Sequence, residues 1–465
     1  MKPQEFTAAP SGGSTLVLIA GVALTNALVV PDEPSAMAQQ AALGVGLSLL
    51  ISFLIDMRRI PRNLVRADIM ALGALYFLTL FEFLFPQPAF NTLVNAEEAG
   101  LAIKACLVAF VGLALGRHCV PPPPQSLTRT LKTDFPPKML LTLFWIAIVG
   151  GYYYQLLAVD FNVFEWFDYL MAPRFSQPWS RGRLGDWKAL LGEIGMILNL
   201  APPIAGIILA RRADYSRQTV RTVLVALLFT FFYAFASGTR NLLFTFITTF
   251  TVAFAFTLDR IKKKELLLVT GLSVAVMLSA TVFMLKFRNI GFSNYLNGYY
   301  VEVKEDSTTM FVDYNLYVIA KLTDVFPAKH DYLGLEIPYI SLIRPIPRAL
   351  WAGKPEGLSL GIEDALGVEG LTLASSFVGE AYISGGLMGV VLTAIVLGAI
   401  MGWWNHFGNP QNSPFGHLVF SSGFFAAVIS MRSMLVFTTA ILPTIAALIL
   451  GHWLLSQRPR RRPSA

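Results

Sequence analysis

The stretch FVGEAYISGGLMGVVLTAIVLGAIMG, residues 377–402, carries a single charged side chain, that of Glu380. A helix of about 20 apolar residues crosses the hydrocarbon core of a bilayer, so this stretch predicts a membrane-spanning helix. Similar apolar runs recur along the whole chain. Of its 465 residues, 55% are hydrophobic and only 14% are charged, against about 25% charged residues in a soluble domain. The composition therefore indicates an all-α polytopic membrane protein.

Twelve apolar segments can be marked along the chain. They lie at about 14–30, 38–55, 68–85, 98–116, 139–158, 189–210, 220–236, 240–258, 265–285, 377–402, 415–430 and 433–455. We predict three regions, with helices one to nine in 1–285, a large external loop in 286–376, and helices ten to twelve with a basic tail in 377–465. No internal repeat is evident, which argues against an inverted-repeat transporter.

Positive charge alternates between the connecting loops. The loops after the second, fourth, sixth and eighth segments, and the C-terminal tail, are rich in arginine and lysine. The loops after the first and third segments, PDEPSAMAQQ at 31–40 and PQPAFNTLVNAEEAG at 86–100, contain neither residue. Because cytoplasmic loops carry an excess of positive charge, both termini are predicted to be cytoplasmic. This orientation accounts for most of the net charge of +7 without a nucleic-acid partner.

Two predicted external loops carry cations against this pattern. They lie at about 159–188 and 286–376, and long loops cross the membrane largely regardless of charge. A structureless connection as long as the second loop would be unusual. Within it, TTMFVDYNLYVIAKLTDVF at 308–326 has helical spacing. We therefore expect a partly helical extracytoplasmic loop that lies on the outer face of the bundle.

Arginines collect at the predicted external ends of the helices. Arg240 lies in the tight turn between the seventh and eighth segments, Arg432 lies in the turn between the eleventh and twelfth, and Arg288 follows the ninth. Each could extend to the lipid headgroups, or all could converge on one external cavity. A guanidinium stays charged and binds phosphate oxygens in pairs, so a convergent cluster would suit a pyrophosphate.

The segment IRPIPRALWAGKPEG, residues 343–357, combines prolines, cations and a tryptophan. Its prolines stiffen the backbone and would hold Arg344, Arg348 and Lys354 over the external helix ends, with Trp351 at the membrane interface. Tryptophan beside cations is also the ordinary interfacial belt of a membrane protein. That belt explains one tryptophan and one arginine well, but explains three cations on a proline-stiffened frame poorly.

Glu380 falls in the first turns of the tenth segment. The positive end of a helix dipole favours a carboxylate there. One interpretation is a well-capped helix whose Gly385, Gly386 and Gly389 allow a neighbouring helix to approach closely. The other makes Glu380 a general base at the mouth of a cavity, with Tyr382 beside it. The sequence leaves both interpretations open.

Four of these stretches together resemble a known family. They are PIPRALWAGKP at 345–355, SSFVGEAYISGGLMG at 375–389, SGTRNLL at 237–243 and the external arginine near the C-terminus. They are similar to the oligosaccharide repeat-unit polymerases, which are the O-antigen (Wzy-type) and exopolysaccharide polymerases of bacterial envelopes. The likeness covers residues 235–435, and the first six helices match in topology and hydropathy only.

The resemblance implies a GT-C-like membrane fold and glycosyl transfer without a metal or another cofactor. Such a protein lies in the bacterial cytoplasmic (inner) membrane. At the outer face it would transfer a growing chain from undecaprenyl pyrophosphate to the next lipid-linked repeat unit, and a chain-length regulator would be a possible partner. Carried onto this chain, the resemblance implies that Arg240, Arg348 and Arg432 hold the pyrophosphate and stabilise its charge, and that Glu380 accepts the proton of the sugar hydroxyl. Combined with the positions of the external residues, this predicts catalysis by Glu380, Arg348 and Arg432, pyrophosphate binding by Arg240, Arg344, Arg288 and Lys354, and substrate binding by Trp351 and Tyr382.

Two other functions stay open. Related O-antigen ligases place an activating histidine in the large external loop, where this chain has only His330, far from the arginine-rich segment. A flippase or transporter of lipid-linked glycans should expose charges through the depth of its helices, whereas the unusual charges here collect at the outer ends. The loop also lacks the dense acidic pairs of a divalent-metal site. These features favour a polymerase.

Overall fold

The apolar runs fold as helices because a helix pairs its backbone N–H and C=O groups within its own segment, as a bilayer requires. The computed structural model describes residues 6–29, 33–58, 60–174, 176–179, 194–258, 263–299, 315–346, 350–351, 353–355, 357–367 and 373–457. Within these ranges the chain is helical and contains no strand.

The main helices are numbered in chain order. They are α1 (Gly12–Leu28), α2 (Pro34–Met57), α3 (Ala67–Thr79), α4 (Ala96–Gly116), α5 (Pro137–Leu157), α6 (Val163–Leu170), α7 (Met196–Ala210), α8 (Arg217–Ala236), α9 (Arg240–Thr257), α10 (Lys263–Phe287), α11 (Asn315–Val325), α12 (Glu336–Ile343), α13 (Ser376–Asn405), α14 (Pro414–Ile429) and α15 (Met434–Ser456). Shorter helical segments are Pro61–Val65, Phe81–Leu84, Phe90–Leu93, Gln125–Lys132, Arg212–Asp214, Phe292–Leu296 and Ile362–Ala365.

Within the described ranges, eight helices are long and apolar enough to cross a membrane, namely α2, α4, α5, α8, α9, α10, α13 and α15. The helices α1, α3, α7 and α14 are shorter and also apolar. Each of the twelve predicted segments therefore contains a helix. The prediction of an all-helical polytopic membrane protein is confirmed, with eight helices of membrane-spanning length.

Glycines on both helices bring α4 and α13 into backbone contact. A Cβ atom on Gly116 would lie 2.2 Å from the carbonyl oxygen of Ile395, and one on Gly398 would lie 2.5 Å from that of Leu113. Small residues at a helix crossing allow such an approach in membrane proteins. The close approach of α13 to α4 therefore depends on a glycine in its inner half. A Cβ atom on Gly386 would meet Tyr332 of the loop, one on Gly389 would meet Ala381 of the same helix, and one on Gly385 would meet nothing within 4 Å.

The outer part of α13 is separated from its inner part by a kink. Gly386 adopts φ 62° and ψ −151°, which glycine reaches without the strain that other residues incur. The kink leaves carbonyl groups without helical partners, and the loop supplies donors. The N–H of Leu333 donates to the carbonyl of Ile383 at 2.8 Å, and the N–H of Gly334 donates to that of Ser384 at 3.0 Å.

The large loop contributes two helices to the bundle. Helix α11 packs against α4 and α13, and its Lys321 forms an ion pair of 2.8 Å with Glu98. Helix α12 packs against α13 and the start of α15. The loop is thus partly helical. Within the stretch 308–326 that has helical spacing, the helix of the described residues begins at Asn315. Residues 300–314 lie outside the described ranges.

A buried ion network joins helix ends at the end of the bundle that is away from the large loop. Asp68, at the start of α3, accepts hydrogen bonds from Nε of Arg66 at 2.9 Å, from Nη1 of Arg117 at 3.1 Å and from Nδ2 of Asn405 at 2.6 Å. Asp56, in the last turn of α2, lies 3.6 Å from Arg66. The side chains of the four charged residues are almost completely buried. The helix ends that the charge pattern assigns to one side therefore meet at one end of the bundle.

The charges of this network balance. Two arginines face two aspartates, and His118 lies beside them with Nε2 at 2.8 Å from Oγ1 of Thr15. Burial, with a smaller contribution from Arg117, lowers the pKa of His118. The lowered pKa favours the neutral form of this histidine beside the network.

The substitution Asp68→Ala is expected to destabilise the protein by about 3–5 kcal/mol, because it leaves buried arginines without their main partner. The matched control is Asp214→Ala. Asp214 also pairs with an arginine, Arg211, at 2.7 Å, but this pair is partly exposed to solvent. It should contribute only about 0–1 kcal/mol. Thermal unfolding of the purified variants in detergent measures the difference, and equal midpoints would contradict the assigned role of the network.

Candidate functional site

A cavity of about 690 Å³ opens at the end of the bundle opposite the ion network. Residues of α7, α9, α13, α14, α15 and the large loop line it. Four lining residues are charged, namely Arg344, Glu363, Glu380 and Arg432. The uncharged polar lining residues are Asn199, Asn241, Thr245, Thr249, Ser375, Ser422, Ser433 and Thr439. The cavity thus combines carboxylates, guanidinium groups and hydroxyl groups within one space.

Glu380 is fixed by two donors from the turn between α14 and α15. The hydroxyl of Ser433 donates to its Oε1, and the N–H of Met434 donates to its Oε2 at 2.7 Å. The residue is only 4% exposed. Together the two donors hold the carboxyl group in one orientation. The turn itself is attached to the start of α13, since the N–H of Phe377 donates to the carbonyl of Met431 at 3.1 Å.

Two arginines face the same cavity. Arg432 lies in the turn that holds Glu380, and Arg344 ends α12, where its N–H donates to the carbonyl of Ile340 at 3.0 Å. Arg344 also interacts electrostatically with the Glu380 carboxylate. The structure thus brings together two residues predicted to be catalytic, Glu380 and Arg432, and one predicted to bind pyrophosphate, Arg344, although they are far apart in the sequence.

Helix α12 is bonded to the turn that positions Glu380. The hydroxyl of Ser341 donates to the carbonyl of Met434 at 2.8 Å, and the hydroxyl of Thr438 donates to the carbonyl of Ser341. Met434 in turn donates its N–H to Glu380. The loop helix that ends in Arg344 and the turn that contains Arg432 are therefore held in one geometry.

Lys354 supports the backbone near Arg344. Its Nζ donates to the carbonyl of Arg344 at 2.9 Å and to that of Ile346 at 2.8 Å. Neither Lys354 nor the partly buried Trp351 is part of the cavity lining. Arg348, predicted to be catalytic, lies outside the described residues. The segment 343–357 therefore contributes Arg344 to the cavity, and Lys354 stabilises the turn that follows it.

Arg240 and Arg288 lie together at a neighbouring turn. The carbonyl of Arg288 accepts the N–H of Arg174 at 2.8 Å. Gly238, with φ 65°, packs so closely that a Cβ atom there would lie 3.0 Å from Cα of Arg288. Arg240 begins α9 two residues later. Neither Arg240 nor Arg288 lines the cavity, although Asn241 does.

Tyr382 does not line the cavity, contrary to what its place beside Glu380 indicated. Its ring packs against Tyr332 of the loop, with the ring centroids 6.3 Å apart and the planes at 78°. Residues two apart on a helix point to opposite sides, because each residue turns the helix by about 100°. When Glu380 faces the cavity, Tyr382 must face the other way.

His330 also lies away from the cavity. Its ring packs against that of Phe326, with the centroids 6.0 Å apart, and the residue is exposed. It is not among the residues that line the cavity. The loop histidine therefore lacks the position that an activating base would need.

Sequence reasoning missed Glu363, Ser433 and the polar side of α9. Asn241, Thr245 and Thr249 are spaced four residues apart in an otherwise apolar helix, which places them on one face. This periodicity is a signal that could have identified them. At 1.5 Å per residue, Thr249 lies about 13 Å along α9 from Arg240. The cavity therefore reaches into the bundle between the helices.

Carboxyl, guanidinium and hydroxyl groups in one cavity can bind a phosphate group and accept a proton from a bound hydroxyl. In the part of the chain that the structure describes, no group of three or more histidine, cysteine, aspartate or glutamate side chains could hold a metal ion. Comparison of the chain with protein-family models, with curated proteins and with solved structures finds no match.

Proposed function

We propose that this protein polymerises oligosaccharide repeat units carried by undecaprenyl pyrophosphate. The observation that carries the proposal is the geometry of Glu380, which Ser433 and Met434 hold in the same cavity as Arg344 and Arg432. A fixed carboxylate beside two guanidinium groups matches the needs of glycosyl transfer from a pyrophosphate. The sequence resemblance to repeat-unit polymerases points to the same chemistry.

In this mechanism Arg344 and Arg432 bind the pyrophosphate of the donor. The bond between the donor sugar and the pyrophosphate breaks, and negative charge increases on the leaving oxygen, where guanidinium groups stabilise it. The hydroxyl of the acceptor sugar forms the new glycosidic bond and loses its proton to Glu380. Arg348 is a further catalytic arginine in this proposal, and Arg240 and Arg288 would attract the donor at the neighbouring turn.

The proposal includes twelve spans in a GT-C-like arrangement in the bacterial cytoplasmic membrane. Both termini would be cytoplasmic and the cavity extracytoplasmic, with a chain-length regulator as a possible partner. The separation of the two clusters supports this orientation. The helix ends assigned to the cytoplasm meet in the ion network around Asp68, and those assigned to the outside surround the cavity.

Two features favour a polymerase over the alternatives. A flippase needs a path through the whole bundle, but the buried ion pairs of Asp68 with Arg66 and Arg117 occupy the end opposite the cavity. A ligase of the related kind needs its loop histidine at the cavity, where His330 does not lie. A polymerase that works at the cavity end requires neither an open path through the bundle nor a histidine at the cavity.

Purified protein in liposomes, supplied with undecaprenyl-pyrophosphate-linked repeat units, tests the proposal. We expect a ladder of lipid-linked oligomers and the release of one undecaprenyl pyrophosphate for each new linkage. Mass spectrometry measures both products. Movement of the lipid-linked unit between leaflets without any ladder would support a flippase and contradict the proposal, and transfer only to a different acceptor would support a ligase.

A further inference from the structure

Helix α12 is apolar on both of its sides. Ile337, Ile340 and Ile343 pack into the protein. The opposite side carries exposed apolar residues at helical spacing, and we call it the α12 stripe: Leu335, Tyr339 and Leu342. Leu335 is 81% exposed and Leu342 is 69% exposed. A helix that is hydrophobic all round is ordinarily buried in protein or in a membrane, and here protein covers one side only.

The other loop helix does not share this property. Helix α11 buries its apolar residues against α4 and α13, and its exposed side carries Asp324. Asp324 forms an ion pair of 2.7 Å with Lys329, and the hydrogen bond from Lys329 lowers the pKa of Asp324. The charged surface of α11 is typical of contact with water, so the α12 stripe is a local feature of the loop.

Two attachments fix the level of α12 relative to the spans. Leu333 and Gly334 bind the carbonyl groups exposed at the kink of α13. The inner part of α13, residues 387–405, is about 28 Å long at 1.5 Å per residue, close to the ~30 Å thickness of the hydrocarbon core. With the inner end of α13 at one boundary of the core, this length places the kink at the other boundary. The second attachment joins Ser341 to Met434, the first residue of α15.

The apolar surface continues from the kink along α13. Met388, Leu392 and Val396 are exposed at a spacing of four residues and begin just beyond Gly386. Such a surface on a membrane-spanning helix contacts lipid tails. The chain enters α12 from the same kink, so the α12 stripe begins where the lipid-facing surface of α13 ends.

We propose that the α12 stripe is immersed in the lipid leaflet at the cavity end of the bundle, so that α12 is an interfacial helix of the large loop. Tyr339 and Trp351 then lie where aromatic residues are enriched, at the boundary between lipid and water. Arg344, at the end of α12, lies at the level of the lipid phosphate groups. A phosphate carried by a membrane lipid would thus meet this arginine without leaving the membrane.

Quenching of a fluorophore on α12 tests this inference. A single cysteine at Leu342 is introduced into the full chain with Cys119→Ser, because Cys119 is exposed and Cys106 is buried. The protein is labelled with bimane and placed in phosphatidylcholine nanodiscs with or without doxyl-labelled lipid. Lys329→Cys in the same background is the matched control, since the Lys329 side chain is 61% exposed on the water-facing part of the loop.

We expect doxyl lipid to quench the label at position 342 at least twofold more than the label at position 329. Aqueous iodide should show the reverse order. Strong quenching by iodide without quenching by doxyl would place the stripe in water and overturn the inference. Protection from both quenchers would mean that protein covers the stripe and would also overturn it. Leu335→Cys provides a second position if the first variant does not fold.

This test does not depend on the proposed enzymatic function, because it requires no substrate and leaves Glu380 and Arg432 unchanged. A failure of the interfacial placement would leave the polymerase proposal standing. If the liposome assay contradicted the polymerase proposal, the quenching experiment would still test the lipid contact of α12.

Discussion

Glu380→Gln is expected to lower the rate of polymer formation by about 10²–10⁴-fold, the usual contribution of a general base. Glutamine keeps the shape of the side chain but cannot accept a proton from the acceptor hydroxyl. Its amide NH₂ can donate to the Ser433 hydroxyl, while its carbonyl oxygen still accepts the Met434 N–H, so the side chain keeps its orientation. The initial rate of ladder formation in liposomes measures the effect, with inserted protein quantified for each variant.

Glu336→Gln is the matched control for this prediction. Glu336 accepts the hydroxyl and the N–H of Ser359, so its hydrogen bonds are of the same kind, but it does not line the cavity. We expect this variant to retain nearly the wild-type rate. A normal rate for Glu380→Gln would show that Glu380 only stabilises the helix end, as the alternative interpretation of the sequence holds.

Arg432→Ala is expected to lower the rate of undecaprenyl pyrophosphate release by about 10²–10³-fold, because a donor aimed at the charge that develops in the transition state is lost. Arg432→Lys should restore little of this rate, since an ammonium group cannot bind two phosphate oxygens in the planar geometry of a guanidinium. The release of undecaprenyl pyrophosphate, measured at saturating donor concentration, separates this effect from weaker binding.

Lys329→Ala removes an external cation away from the cavity and serves as the control, with nearly unchanged release expected. If lysine at position 432 restored the full rate, positive charge alone would be sufficient and paired binding would be wrong. Near-normal release of undecaprenyl pyrophosphate by Arg432→Ala would show that this arginine has no catalytic role.

The helices were predictable because their cause is local. An apolar run long enough to cross a bilayer must pair its backbone groups within itself, so the run at 377–402 predicts a helix wherever it packs. That Glu380 and Arg432 lie at the same end of the bundle was also predictable from the sequence. Alternating loop charge places the start of the tenth segment and the turn after the eleventh on the same side of the membrane.

The finer geometry depends on partners that are distant in the sequence. The kink at Gly386 requires donors for the freed carbonyl groups, and Leu333 and Gly334 of the loop supply them. Lys354 reads as a phosphate-binding cation in the sequence, but its Nζ binds the carbonyls of Arg344 and Ile346. The direction of a side chain relative to a cavity follows from tertiary packing, as the burial of Tyr382 against Tyr332 shows.

The buried ion network had no signal in the charge pattern alone. A sum of loop charges gives Arg66 and Arg117 the same weight as Arg211 and Arg212. The side chains of the first two arginines are buried, whereas those of the last two are exposed to solvent. What distinguishes the first pair is the nearby Asp68 at the start of α3, an acidic residue adjoining an apolar run. Such a residue is costly to bury without partners, which makes it the feature to examine in similar sequences.

The glycan profile of cells that lack this protein, complemented with wild type or with Glu380→Gln, tests whether the protein polymerises repeat units through Glu380. We expect single repeat units to accumulate on the lipid carrier and long chains to disappear. The wild-type protein should restore the long chains, and Glu380→Gln should not. Long chains that still form but remain on the lipid carrier would contradict this expectation and would identify the protein as a ligase.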